Sequence, residues 1–350
     1  MKEVLGELTQ WSDRGERIAL ATVVAARRSA PRPPGAKLAV NESGEIAGGV
    51  SGGCVEGAVV EIAHQVIDGA PPALQSFGIA DAEAWEVGLP CGGEIDVWVQ
   101  AYEPGRFGEI AAAGGRATEV TLLEGSRPGA KLLVEADGAR SGTLGSPELD
   151  DEAARIATEL LWSEECQRRG ALFFDVTAPA PRLIVFGAVD IAVPLCALAR
   201  TSGLRPYVVD PRARFARPDR FPDAEQVIAA WPEEAFAALG GIDPATSIAV
   251  LTHDPKLDDA ALKIALRSPA RFVGAMGSRR AQTARRERLL AAGLTEEELA
   301  RLSAPLGLDL GGVTAGETAL SVLSEVIATR HGHEGGRLSQ ARGRIHEVAA

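Results

Sequence analysis

The sequence predicts an α/β protein of two domains, on three observations. The chain has 350 residues, about two domains at roughly 150 residues each. A stiff stretch, Thr177-Ala178-Pro179-Ala180-Pro181, separates two apolar runs at 171–176 and 182–186, as a proline-rich linker does. On both sides of it, short apolar runs alternate with segments of helical period. The expected organisation is a mixed α/β first domain over 1–176, a linker over 177–181, a second domain over 182–332 and a polar tail over 333–350.

In the first domain, residues 18–25 read as a strand, and 37–40 with 45–47 as a hairpin around Asn41-Glu42-Ser43-Gly44. Residues 54–67 read as an amphipathic helix, with Val55, Val59, Ile62 and Val66 on one face. Strands are expected at 94–101, 118–123 and 131–135, and a helix at 148–166. In the second domain the runs 183–186, 207–209, 248–251 and 272–273 are short and separated by helical segments. Buried strands alternating with helices imply a parallel sheet covered on both faces. That pattern is Rossmann-like.

Composition narrows the function. Against 48 Asp+Glu stand 36 Lys+Arg, a formal net charge of −12, the wrong sign for a general binder of nucleic acid or anionic membrane. Apolar residues make up 46%, enough for a large core. The amino terminus lacks a signal-peptide pattern, and the longest apolar stretch, 183–199, is broken by Asp190 and Pro194, so no membrane span is expected. The expected location is the cytoplasm. The four cysteines, Cys54, Cys91, Cys166 and Cys196, include no Cys-x-x-Cys pair. A zinc ribbon or a ferredoxin-type cluster is therefore not expected, nor is a disulfide scaffold, which a cytoplasmic chain of this length neither needs nor readily keeps.

Two glycine-rich segments carry the chemistry of the first domain. In Gly48-Gly49-Val50-Ser51-Gly52-Gly53-Cys54-Val55-Glu56-Gly57 the glycines strip bulk from a turn leading into a helix. A helix start offers free amides to an anion and favours a thiolate. Gly52, Gly53 and Glu56 are candidate binding residues, and Cys54 is a candidate nucleophile or metal-facing thiol. The same features also suit a tightly packed turn with a small buried cysteine. The second segment, Gly88-Leu89-Pro90-Cys91-Gly92-Gly93-Glu94, repeats the pattern before a strand, adding Cys91, Gly92 and Gly93. The loop from Arg27 to Lys37 clusters guanidiniums suited to phosphate, with Arg32 as the candidate. His64 lies roughly 280° around the helix from Cys54 and reads as a plain helix residue.

In the second domain, Gly187-Ala188-Val189-Asp190 stands where a dinucleotide fingerprint belongs, and Asp210 ends the next strand, where a ribose-binding acid is expected. Val189 replaces the glycine that lets a pyrophosphate approach, and Asp190 adds negative charge, which argues against ordinary NAD binding. The loops carrying His253, then Gly277 and Ser278, and then Leu308 to Thr314, follow strands at the same carboxyl edge. Ser278 reads as an N-cap whose helix start could hold a phosphate. Arg285, Arg286 and Arg288 read as a solvated or domain-facing surface.

Taken together, PRPPGAK, GGVSGGCVEGAV, VGLPCGGEIDVWV, VVDPRARFARPDRFP, LTHDPKLDDAAL, FVGAMGSRRAQTARRERL and PLGLDLGG run in order over residues 31–312. This series resembles the XdhC/CoxI family of molybdoenzyme accessory proteins. The resemblance implies a family-type first domain followed by a Rossmann domain. It also implies a maturation factor that binds molybdenum cofactor, assists its sulfuration with a cysteine desulfurase and inserts it into a client molybdoenzyme resembling xanthine dehydrogenase. On that reading Cys54 and Cys91 face molybdenum or sulfur. The departure is at 187–192, where the family usually shows Gly-Ala-Gly-His-Val-Ala. Xanthine dehydrogenase activity itself is not expected, since the cysteine spacing cannot hold iron–sulfur clusters and no flavin domain is apparent. The runner-up is an NAD(P)-dependent oxidoreductase using the Rossmann domain. A third reading is an interaction module, in which the Cys-Gly loops only shape an interface, a homo-oligomer contact included.

Overall fold

Helix α1 (Leu5–Asp13) leads into β1 (Ile18–Arg27), whose first seven residues are all buried. Such continuous burial requires cover on both faces. Ala19, Ala21 and Val23 face α2 (Glu56–Ile67), while Leu20 meets Leu8 and Trp11 of α1. β1 is the middle of an antiparallel sheet whose other strands are β2 (Lys37–Asn41), β3 (Ile46–Gly48), β4 (Ala73–Phe77) and β5 (Glu94–Ala101), in the order β3-β2-β1-β5-β4. The computed structural model describes residues 1–28, 30–78 and 93–340.

After α3 (Arg106–Ala112) come β6 (Ala117–Leu122), β7 (Lys131–Glu135), β8 (Arg140–Gly142), α4 (Pro147–Ser163), β9 (Gln167–Arg169) and β10 (Leu172–Thr177). These strands form a second antiparallel sheet, β8-β7-β6-β10-β9, with α4 packed on it through Ala153, Ala157 and Leu160. Val24 and Trp98 of the first sheet pack with Leu123 and Phe173 from the second. Beside them Lys37, only 1% exposed, donates from Nζ to Asp175 Oδ2 at 2.5 Å and Thr22 Oγ1 at 3.2 Å. Burial pulls the Asp175 carboxyl up, but the Lys37 ammonium, the amino-terminal ammonium and the Cys166 thiol together outweigh it and leave Asp175 below its ordinary range.

The chain divides into two compact units between Pro179 and Ala180. The second opens with β11 (Arg182–Phe186), α5 (Ala192–Thr201), β12 (Arg205–Val209), β13 (Gln226–Ile228) and α6 (Pro232–Ala238). It continues with β14 (Ser247–Val250), α7 (Pro255–Arg267), β15 (Phe272–Ala275), α8 (Arg279–Ala291), α9 (Glu296–Ala300), β16 (Leu302–Ser303) and α10 (Ala315–Arg330). The strands are parallel in the order β13-β12-β11-β14-β15-β16. Counted within this unit, that is 3-2-1-4-5-6, the Rossmann order, with its switch point between β11 and β14. Alternation along β11 serves both layers: Leu183 and Val185 face the core around α5 and α10, while Ile184 and Phe186 face that around α7. The expected Rossmann-like domain is present.

The structure starts the 54–67 helix at Glu56, because residues 51–55 are a bend committed to another task. The 148–166 helix ends at Ser163, where Glu164 turns left-handed.

Candidate functional site

The loop between β3 and α2 is an anion cradle already filled by the chain itself. Glu56 Oε1 accepts from the amides of Val50, Ser51 and Gly52 at 3.1, 2.8 and 2.9 Å. Its Oε2 accepts from the Gly53 and Val55 amides at 2.8 and 3.3 Å and from the Ser51 hydroxyl. Ser51 Oγ in turn accepts from the amides of Cys54 and Val55. Burial alone would raise the Glu56 carboxyl. The Ser51 hydroxyl and the loop amides prevail and hold it at about 2. A resident carboxylate therefore takes the amides that the sequence offers to an outside ligand.

What the loop leaves free is a thiol. Gly52 and Gly53 have φ of 84° and 114°, a conformation that favours glycine, and a Cβ on either would meet nothing within 4 Å. In this open bend Cys54 is exposed and its thiol is not in a disulfide. The alternative of a buried cysteine in a packed turn does not describe Cys54. Cys91 and Gly92 lie outside the described residues. Gly93 is buried immediately before β5, and Glu94 pairs with Arg28 at 3.0 Å. Val50 and Val55 share one apolar cluster with Ile95, so the Cys54 loop and the start of β5 stand on the same core.

The basic loop is neutralised by carboxylates of its own unit. Arg27 pairs with Asp96 at 2.9 Å, and Arg32 with Glu3. Lys37 is the buried partner of Asp175. Among the described residues no group of three His, Cys, Asp or Glu is placed to hold a metal ion.

At the carboxyl edge of the parallel sheet, Gly187 has φ of 116°, and a Cβ there would lie 2.5 Å from Thr252 Cγ2. Only glycine fits where the turns after β11 and β14 meet. Asp210, fully buried, receives four hydrogen bonds. Oδ1 accepts from the Arg212 amide and Nε, each at 2.9 Å, and Oδ2 from the Ala188 amide at 2.9 Å and Arg212 Nη2 at 2.7 Å. Despite burial, these bonds keep its carboxyl below the ordinary range. Asp190 is almost wholly exposed and pairs with Arg220 at 3.3 Å. His253 is exposed, and Ser278 caps α8 by accepting from the Ala281 amide at 3.2 Å. Gly277 has φ of 139° beside Gln282.

One expectation is overturned. Arg285 is neither solvated nor domain-facing: it is 4% exposed and donates to Asp258 Oδ2 at 2.8 Å and to the Met276 carbonyl at 3.1 Å. Asp258 also accepts from Thr252 Oγ1, so the turns after β14 and β15 are tied to one buried ion pair. Arg288 pairs with Asp259 and Arg286 with Glu296. Sequence reading also passes over Ser51 and Arg212. Their signal is position, a hydroxyl between two glycine pairs and a guanidinium two residues past Asp210.

Comparison with known proteins agrees with both units. The profile of the XdhC and CoxI family matches residues 11–78 and 110–170, and that of the XdhC Rossmann domain matches 183–326. The chain belongs to the XdhC and CoxI family. A curated relative from Bacillus subtilis (strain 168), described as a probable subunit of xanthine dehydrogenase, is 28% identical over 325 residues, 90% of this chain and 94% of that one. The molybdenum cofactor insertion chaperone PaoD of Escherichia coli (strain K12) is 26% identical over 317 residues, covering 90% and 84%. A crystal structure of a xanthine dehydrogenase from Bacillus halodurans superposes with a TM-score of 0.65 at 22% identity, covering 97% and 98%. That likeness shows a shared fold over nearly the whole chain. No helix among the described residues is long and apolar enough to cross a membrane.

Proposed function

We propose that this protein is an accessory factor that binds molybdenum cofactor as cargo and inserts it into a client molybdoenzyme resembling xanthine dehydrogenase. Cys54 is its contact thiol. The observation that carries this reading is the exposed Cys54 in an open glycine bend, in a chain whose relative over 90% of its length is a molybdenum cofactor insertion chaperone. A thiolate is a soft donor suited to molybdenum or sulfur, and a bend locked by Glu56 holds it without side-chain bulk on either preceding residue.

The donor set fits one part of the cargo. The thiol suits its metal and sulfur end. Its phosphate has no seat at this loop while Glu56 holds the amides. A groove of about 440 Å³ between α1 and α3 carries Asp13 and Glu109 and no basic residue, the wrong sign for a phosphate. A cavity between the two antiparallel sheets has about 30 Å³, room for about two waters. The exposed Cys54 bend is the docking surface of this reading, with Cys91 as the second thiol and a cysteine desulfurase as the sulfur source.

The test is molybdenum and pterin content of protein purified from cells making the cofactor, with activation of a client enzyme in extracts. Cys54→Ala and Cys91→Ala should lower cofactor retention or client activation while leaving the thermal transition in place. Unchanged retention and activation in both variants would overturn the thiol assignment. The NAD form of the oxidoreductase alternative is disfavoured by Asp210, whose acceptor sites for an unmodified ribose are already filled.

A further inference from the structure

The segment Pro211 to Phe221 is untouched by the proposed function, yet it is a basic stretch at the carboxyl edge of the parallel sheet. Arg212, Arg214, Arg217 and Arg220 fall within nine residues of a chain with net charge −12. Arg217 is taken by Asp219, and Arg220 by Asp190 and two carbonyls. Arg214 is exposed and has no ion pair among the described residues. Arg212 is built into place: Nε and Nη2 grip Asp210, its guanidinium carbon lies 4.6 Å over the Phe215 ring, and half of the side chain faces solvent. Its Nη1 donates to nothing among the described residues.

The same geometry settles what Asp210 can no longer do. A carboxylate has about four lone-pair sites, and all four are used by Arg212 and the Ala188 amide. An unmodified ribose diol would find no acceptor there. It would instead meet a fixed guanidinium with a spare donor edge, the group that recognises a phosphate on the ribose in place of a hydroxyl. Asp254 lies within electrostatic reach of Arg212 and opposes an incoming anion. However, one of its oxygens caps α7 by accepting from the Lys256 amide at 3.0 Å.

We infer that the Rossmann crevice takes a nucleotide bearing a phosphomonoester on its ribose, with Arg212 as the residue that selects it. This goes beyond cofactor insertion and does not depend on it, nor does it involve hydride transfer. Val189 stands where a dinucleotide fingerprint has the glycine that lets a pyrophosphate approach, so the direct probes are fragments without one. Calorimetry on the full chain compares adenosine 2′,5′-bisphosphate, adenosine 3′,5′-bisphosphate and 5′-AMP. One bisphosphate should bind about tenfold or more tighter than AMP, the increment of one or two charge-assisted hydrogen bonds. Which bisphosphate it is separates a 2′- from a 3′-phosphate ligand. Arg212→Gln should bring that bisphosphate to within about twofold of AMP. Equal affinity for all three, or no binding of either bisphosphate, overturns the inference, and this comparison on the unaltered protein stands even if the variant is unstable. A preference that survives Arg212→Gln in a folded variant, verified by its thermal melt, removes Arg212 from the role.

Discussion

The two glycine turns, before α2 and after β11, solve one problem in opposite ways. Each ends in backbone amides facing a place where an anion could sit, and each is answered by a carboxylate of the same chain. Glu56 takes five amides and a hydroxyl. No cation is left over, and the bend presents the exposed side chain of Cys54. Asp210 takes two amides, those of Ala188 and Arg212, and gives its other acceptor sites to the Arg212 guanidinium, so the second turn presents a cation. A resident acid thus need not abolish a site. It converts one kind of site into another: a soft donor in the first unit, a phosphate-seeking edge in the second.

The largest way to break this comparison is to remove the more buried acid. Asp210→Ala should cost about 2–3 kcal/mol, since it strips a fully buried carboxylate from charge-assisted bonds and strands the Ala188 amide. Urea unfolding followed by a probe in the second unit checks it. Glu56→Gln should cost less, about 1–2 kcal/mol, because its carboxylate is partly open to solvent and screened.

Acid sharpens the comparison. Glu56 falls from its ordinary 4.5 to about 2 in the folded chain. Its contribution is therefore present above pH 4.5 and lost as pH falls from there towards 2. Asp210 is lowered in the same direction, so both turns should weaken in acid. Glu56→Gln should flatten the stability profile below pH 4.5, and a profile that keeps its full slope would show that the loop amides do not hold a charged carboxylate. The smallest expected effect is on folding by Cys54→Ala, within about 0.5 kcal/mol for an exposed side chain, measured by thermal melt.

Much of this architecture is legible in the sequence where burial is one-dimensional. The spans 94–101 and 131–135 coincide with β5 and β7, and the apolar run at 183–186 with the core of β11, because period and turn residues mark such strands directly. β13 and β16, of three and two residues, are too short to show a period. α1 escapes such a reading because only Leu8 and Trp11 of its nine residues are buried. The candidate site is half legible. Glycines predict a helix-start cradle, but an acid at the first helical position is the anion such a start favours, and Glu56 read that way shows the cradle filled. Arg285 escapes because its partner Asp258 is 27 residues away, on another helix, and no periodicity reports a pairing between helices.

The central claim is that the acid-locked bend presents Cys54 to molybdenum cofactor. The most direct measurement is molybdenum-to-protein and pterin-to-protein stoichiometry of the purified chain and of Cys54→Ala, from cells that make the cofactor. The account predicts bound pterin in the parent chain and a loss of several-fold or more in the variant at an unchanged melting temperature. Equal stoichiometry in the two, or no pterin in either, would contradict it.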